Sequence, residues 1–125
     1  MKIAIDCRPL QDASRYRGIG SYLRNILQFI SKKPQYVLFT DASLPALDDD
    51  FSMPVLSFNP PRFGFRFSYK MAQFLIKNQV SLFHFTAQYN IPKSFDFPYT
   101  VTVHDLFNEF LFLNQILYKK KLKPL

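Results

Sequence analysis

Hydrophobic positions along this chain switch between two periods. Ile3, Ala4 and Ile5 make an unbroken apolar run that closes on Asp6, which predicts a first strand over residues 2–6, buried on both faces. A polar loop over residues 8–17 follows. Ile19, Leu23, Ile26, Leu27 and Ile30 then fall on one helical face and predict a helix over residues 20–31. Lys32-Lys33-Pro34 stops it, since cations suit a helix C-terminus and proline cannot continue the helix. Further apolar runs predict strands at residues 36–40, 55–58, 82–85 and 99–103. Between the runs at residues 55–58 and 82–85, Phe67, Met71, Phe74, Leu75 and Asn78 keep helical spacing. A last apolar and basic segment, residues 109–123, predicts a third helix.

Strands that alternate with helices, several of them apolar throughout, predict an α/β fold: a doubly wound parallel sheet covered on both faces, in one domain over residues 1–125. Ligands of such sheets bind beyond the carboxyl ends of the strands, where strand order reverses. Asp6, the Gly18–Gly20 turn, Thr86 and His104-Asp105 all fall at predicted carboxyl ends. Topology therefore predicts that they share one rim.

The chemistry-bearing residues follow from that placement. Arg17, Gly18, Ile19 and Gly20 open the first helix. Free backbone N–H groups and the helix dipole would favour a phosphate there. The alternative is a tight turn that needs glycine only for space. A dinucleotide fingerprint is excluded, because Leu23 stands where its third glycine belongs. No glycine-lysine-serine/threonine ending exists for an NTPase loop. His104 could hydrogen-bond a sugar hydroxyl or a developing charge, with Asp105 beside it; a polar strand end with a capping aspartate explains them equally well. His84, between Phe83 and Phe85, reads as a satisfied core or interface histidine rather than a catalytic one. Two histidines on separate strands make no convincing metal site. Arg8, Arg15 and Arg17 either reinforce anion binding or are solvated. The Phe58–Phe67 stretch, with Arg62 and Arg66, reads as core, or else as an aromatic-basic loop for a membrane. Asp41 reads as a turn residue, and Asp48-Asp49-Asp50 as solvated surface without a calcium-loop pattern.

Composition narrows the class. Hydrophobic residues make up 48 % of the chain and aromatics 18 %, which argues against disorder. The formal charge of +7 favours phosphate-bearing ligands or an anionic surface. No basic stripe is interleaved with aromatics, so nucleic acid is not an expected partner. The cluster Lys119, Lys120, Lys121 and Lys123 reads as a solvated tail. Cys7 is the only cysteine, which rules out an internal disulfide and fits a reducing, cytoplasmic setting. No apolar run reaches the roughly 20 residues of a membrane span.

Residues 1–10 followed by Arg17-Gly18-Ile19-Gly20-Ser21-Tyr22 resemble the opening of family 4 (group 1) glycosyltransferases. Leu82-Phe83-His84-Phe85-Thr86, Pro92 and then Thr100-Val101-Thr102-Val103-His104-Asp105-Leu106 are similar to the family's later landmarks, in the same order. The resemblance is weak between Asp41 and Phe67.

It implies a Rossmann-like αβα layering, the N-terminal half of a GT-B fold, with the acceptor on this half and the nucleotide-sugar donor on a second domain. By position it implies that the backbone at Gly18–Gly20 approaches the donor diphosphate, that His104 faces the transferred sugar, and that Asp105 supports that strand end. The chain has one glutamate, Glu109, so the family's paired-glutamate motif and donor domain are absent from it. The chain alone is then expected to be inactive, and to need a C-terminal domain or partner subunit. Expected partners are a nucleotide sugar and a glycan or lipid-linked acceptor, with peripheral contact at the inner membrane face. Neither metal nor cofactor is implied, the donor being a substrate. A noncatalytic binding module for a phosphorylated ligand or a partner chain is the alternative. A receiver-like domain is disfavoured, since His104 stands where its lysine belongs.

Overall fold

Five parallel strands carry the fold in a computed structural model that describes residues 1–62, 64 and 66–104. The strands are β1 (Ile3–Asp6), β2 (Tyr36–Asp41), β3 (Val55–Phe58), β4 (Leu82–Phe85) and β5 (Tyr99–Val101). Their order across the sheet is β3-β2-β1-β4-β5, and every neighbouring pair is parallel. The sequence therefore adds strands to one side of β1, then returns and adds them to the other. The reversal lies between β1 and β4.

Helices α1 (Gly18–Ile30) and α2 (Phe67–Lys77) connect strands, and each buries one apolar stripe. Strand alternation sends Ala4 and Ile5 to opposite faces. Ile5, Leu38 and Cys7 pack with Leu23, Leu27 and Ile30 of α1. Ala4, Val37, Phe39, Phe83 and Phe85 pack with Met71 and Leu75 of α2. The second core is largely aromatic. Phe39 lies 5.0 Å from Phe83, 5.8 Å from Phe58 and 6.0 Å from Phe74, ring centre to ring centre. Phe58 and Phe67 belong to this core, so that part of the phenylalanine-rich stretch is packing.

Several element bounds depart from the periodicity by one or two residues. Helix α1 starts two residues early, at Gly18, because the Arg17 carbonyl already accepts from Ser21 N–H at 3.2 Å. The strand expected over residues 99–103 ends at Val101, although Thr102 N–H still reaches Phe85 O at 2.9 Å. The loop after β1 is ordered by two 3₁₀ turns, Arg8–Leu10 and Ala13–Tyr16. The expected third helix and Asp105 lie outside the described residues. Among the described residues, no helix is long and apolar enough to cross a membrane.

Candidate functional site

All five strands point their carboxyl ends at the same edge, and the strand order reverses between β1 and β4. Side chains from both strands tie that edge together. Asp6 ends β1 fully buried, and its carboxylate takes Arg8 in a two-point ion pair, with Nε and Nη2 each at 2.8 Å. Arg8 N–H adds a third bond at 3.1 Å. The guanidinium also donates to Asn90 O at 3.3 Å and lies over the rings of Phe39 and Phe85. Arg8 is therefore a buried brace between the loops after β1 and β4, not a solvent-facing anion ligand. Thr86, the residue after β4, donates its hydroxyl to Asp6 O at 2.7 Å.

Above this brace sits the N-terminus of α1. Arg17 caps it in extended conformation and supplies no side-chain cap. The first turn carries no acidic residue. The N–H groups of Gly18, Ile19 and Gly20 precede the first intrahelical bond, so the helix end keeps its donors and its partial positive charge. The two glycines differ. A Cβ on Gly20 would lie 2.5 Å from Arg15 O and 2.7 Å from Arg15 Cα, whereas one on Gly18 would meet nothing within 4 Å. Gly20 is thus required by the close approach of the preceding 3₁₀ turn, and Gly18 is not.

The other arginines here are in different states. Arg15 stacks on Tyr16 at 4.6 Å and reaches Asp48 at 3.8 Å. The exposed Arg17 side chain makes no hydrogen bond or ion pair among the described residues, which leaves it free for an anion.

His104 arrives at the same rim. Its ring sits edge-on to Tyr22 in α1, with centroids 4.9 Å apart at 77°. Its Nε2–H donates to Thr86 O, and its backbone N–H donates to Gln88 Oε1 at 3.3 Å. A carbonyl only accepts, so Nε2 carries a proton, and in the neutral ring Nδ1 then holds the lone pair. In its neutral form this imidazole can take a hydrogen bond from a hydroxyl. Ser14 and Tyr89, joined at 2.9 Å through their hydroxyls, bridge the two loops further out. Of the residues expected at the site, Arg17, Gly18, Ile19, Gly20 and His104 share this edge. Tyr22 and Gln88 hold His104; no local motif marks Gln88.

His84 is satisfied within the sheet. Nδ1 meets Thr100 Oγ1 at 2.6 Å and Nε2 meets Thr102 Oγ1 at 2.8 Å. Its pKa is lowered, chiefly by burial; Asp6 opposes the shift and His104 reinforces it. Burial raises the Cys7 thiol far above its ordinary range, with the Asp6 charge adding to it, so Cys7 is a packing residue and not a nucleophile. Asp41 is a turn residue, accepting from Ser43 N–H and Oγ–H at 2.8 and 2.6 Å. Among the described residues, no three His, Cys, Asp or Glu side chains are grouped to hold a metal ion.

Comparison with protein-family models, with curated proteins and with solved structures finds no match to this chain.

Proposed function

We propose that this chain is the acceptor-side, Rossmann-like N-terminal part of a family 4-like, GT-B glycosyltransferase. The complete enzyme would move a sugar from a nucleotide sugar to a glycan or lipid-linked acceptor. The observation that carries this reading is the contact between His104 and Tyr22. It brings the imidazole against the helix whose uncapped N-terminus is formed by Gly18, Ile19 and Gly20. The same edge holds the reversal of strand order, where ligands of parallel sheets bind.

In this reading the three N–H groups, the helix dipole and Arg17 take part of the charge of the leaving diphosphate. The Nδ1 lone pair of His104 accepts from a hydroxyl of the transferred sugar and fixes its position. Asp105 would support this strand end from outside the described residues. A second domain or subunit would supply the rest of the donor site, including the paired glutamates. The setting would be cytoplasmic, with peripheral contact at a membrane where the acceptor is lipid-linked.

The test joins this chain to a donor-binding domain carrying paired glutamates and measures nucleotide-sugar turnover. His104→Ala is expected to lower turnover by about 100-fold or more, the loss typical of removing one well-placed polar contact to the reacting group. Full activity in that variant would remove His104 from the mechanism. A folded chain that binds a phosphorylated ligand and never supports turnover would favour a noncatalytic binding module.

A further inference from the structure

Charge is spread unevenly along this chain. No aspartate or glutamate occurs between Asp50 and Asp96, a stretch that holds Arg62, Arg66, Lys70, Lys77 and Lys93. All five cations are exposed. Helix α2 lies inside this stretch and has no acid of its own.

The fold turns that bias into a surface. Helix α2 buries Met71, Ala72 and Leu75. Helical spacing sends Tyr69, Lys70, Gln73, Ile76 and Lys77 to the opposite side, and all of them are exposed. Lys70 and Lys77 make no ion pair among the described residues. Because α2 follows β3 and runs back toward the start of β4, its first turn stands at the carboxyl edge of the sheet. The loop that carries Arg62 and Arg66 is at that edge too, as is the rim.

A second feature of the same face is apolar. Tyr69 and Ile76 are 61 % and 56 % exposed, although Leu75 beside Ile76 is fully buried. They stand two helical turns apart and so share one flank of α2. Lys70 and Lys77, spaced identically, share the other. The cleft beside the apolar flank is lined by Asp96 together with Arg66, while the outer face of α2 carries no acid.

The two features together select the partner. Nucleic acid would take the cations and leave Ile76 in water. A bilayer with anionic headgroups takes both: phosphates meet the cations, while Tyr69 and Ile76 enter the boundary with the acyl chains.

We propose that the outer face of α2, with Arg62 and Arg66 at its entrance, docks on an anionic lipid bilayer. The proposal rests on the placement of α2 and stands whether or not the rim transfers sugar. Docking here would hold the rim near the headgroups, where a lipid-linked acceptor presents its hydroxyl.

Co-sedimentation of the full chain with vesicles tests this. Binding is expected to vesicles of phosphatidylglycerol and phosphatidylcholine in equal parts, and about tenfold weaker or more to phosphatidylcholine alone. Lys70→Gln combined with Lys77→Gln should weaken it about twentyfold, since each cation near an anionic surface is worth about fivefold. That effect should persist in a chain whose Lys119, Lys120, Lys121 and Lys123 are glutamine, which separates this face from the basic tail. Ile76→Ser removes apolar contact and no charge, and should weaken binding about fivefold. These positions are exposed, so the amide NMR spectrum of each variant should remain that of the folded chain. Equal binding to both vesicle types, or binding unchanged by the α2 lysine pair or by Ile76→Ser, would overturn the proposal. Tighter binding of duplex RNA than of the vesicles, unaffected by Ile76→Ser, would give this face to nucleic acid and overturn it as well. No sugar transfer enters these measurements, so failure here is distinct from failure at the rim.

Discussion

Gly18 and Gly20 look equivalent in the sequence and are not. Adding a methyl group at Gly20 drives it into the Arg15 backbone, which cannot swing aside as a side chain could. Gly20→Ala should therefore cost about 1–3 kcal/mol, the range of overpacked sites. Gly18→Ala, in open space at the first position of a helix, should be neutral or stabilising by up to about 1 kcal/mol. Urea midpoints of the two variants check this; equal effects would contradict the assigned difference. The sequence shows both glycines, but the 2.5 Å approach to Arg15 comes from the fold of the preceding turn, which no spacing rule reports. His84 titrates with a sign that follows from its surroundings. Its folded-state pKa lies below its ordinary 6.5. The folded chain then binds fewer protons than the unfolded one as pH falls, so stability should be greatest above pH 6.5. It should decline as pH drops from 6.5 through the lowered value, then stop changing on this account. Urea midpoints against pH, compared with His84→Gln, measure it. A pH profile identical in the variant would refute this assignment.

At the level of elements, apolar runs and helical spacing located all five strands and both described helices, because burial dictates both periods. Boundaries were less legible, since they depend on single hydrogen bonds such as Ser21 N–H to Arg17 O. The loop after β1 was legible only as polar. Its order comes from the Asp6–Arg8 pair, and Arg8 is buried because Asn90, 82 positions away, offers its carbonyl. Residues that distant in sequence leave no local pattern. Removing one partner of a buried ion pair strands the other charge in a low-dielectric site. Arg8→Met should thus destabilise the chain by about 3–5 kcal/mol, and adding Asp6→Leu should recover much of that loss. Thermal or urea unfolding of the single and double variants checks this, and an additive double variant would show that the two groups do not act as a pair.

For the whole molecule, the order β3-β2-β1-β4-β5 makes one edge chemically distinct. Alternating elements were enough to anticipate a parallel sheet and a shared rim for Gly18–Gly20 and His104. They could not reveal that Thr86, Gln88 and Tyr22 hold the imidazole, because those contacts join three separate segments. The central claim is that the uncapped start of α1 and His104 form a single anion-and-hydroxyl site. Amide NMR during titration of the chain with pyrophosphate and with UDP-glucose addresses it directly. The account predicts weak, saturable binding in which Gly18, Ile19 and Gly20 move with both ligands, and His104 moves with the sugar nucleotide alone. Shifts confined to another part of the surface, or none at the start of α1, would contradict it.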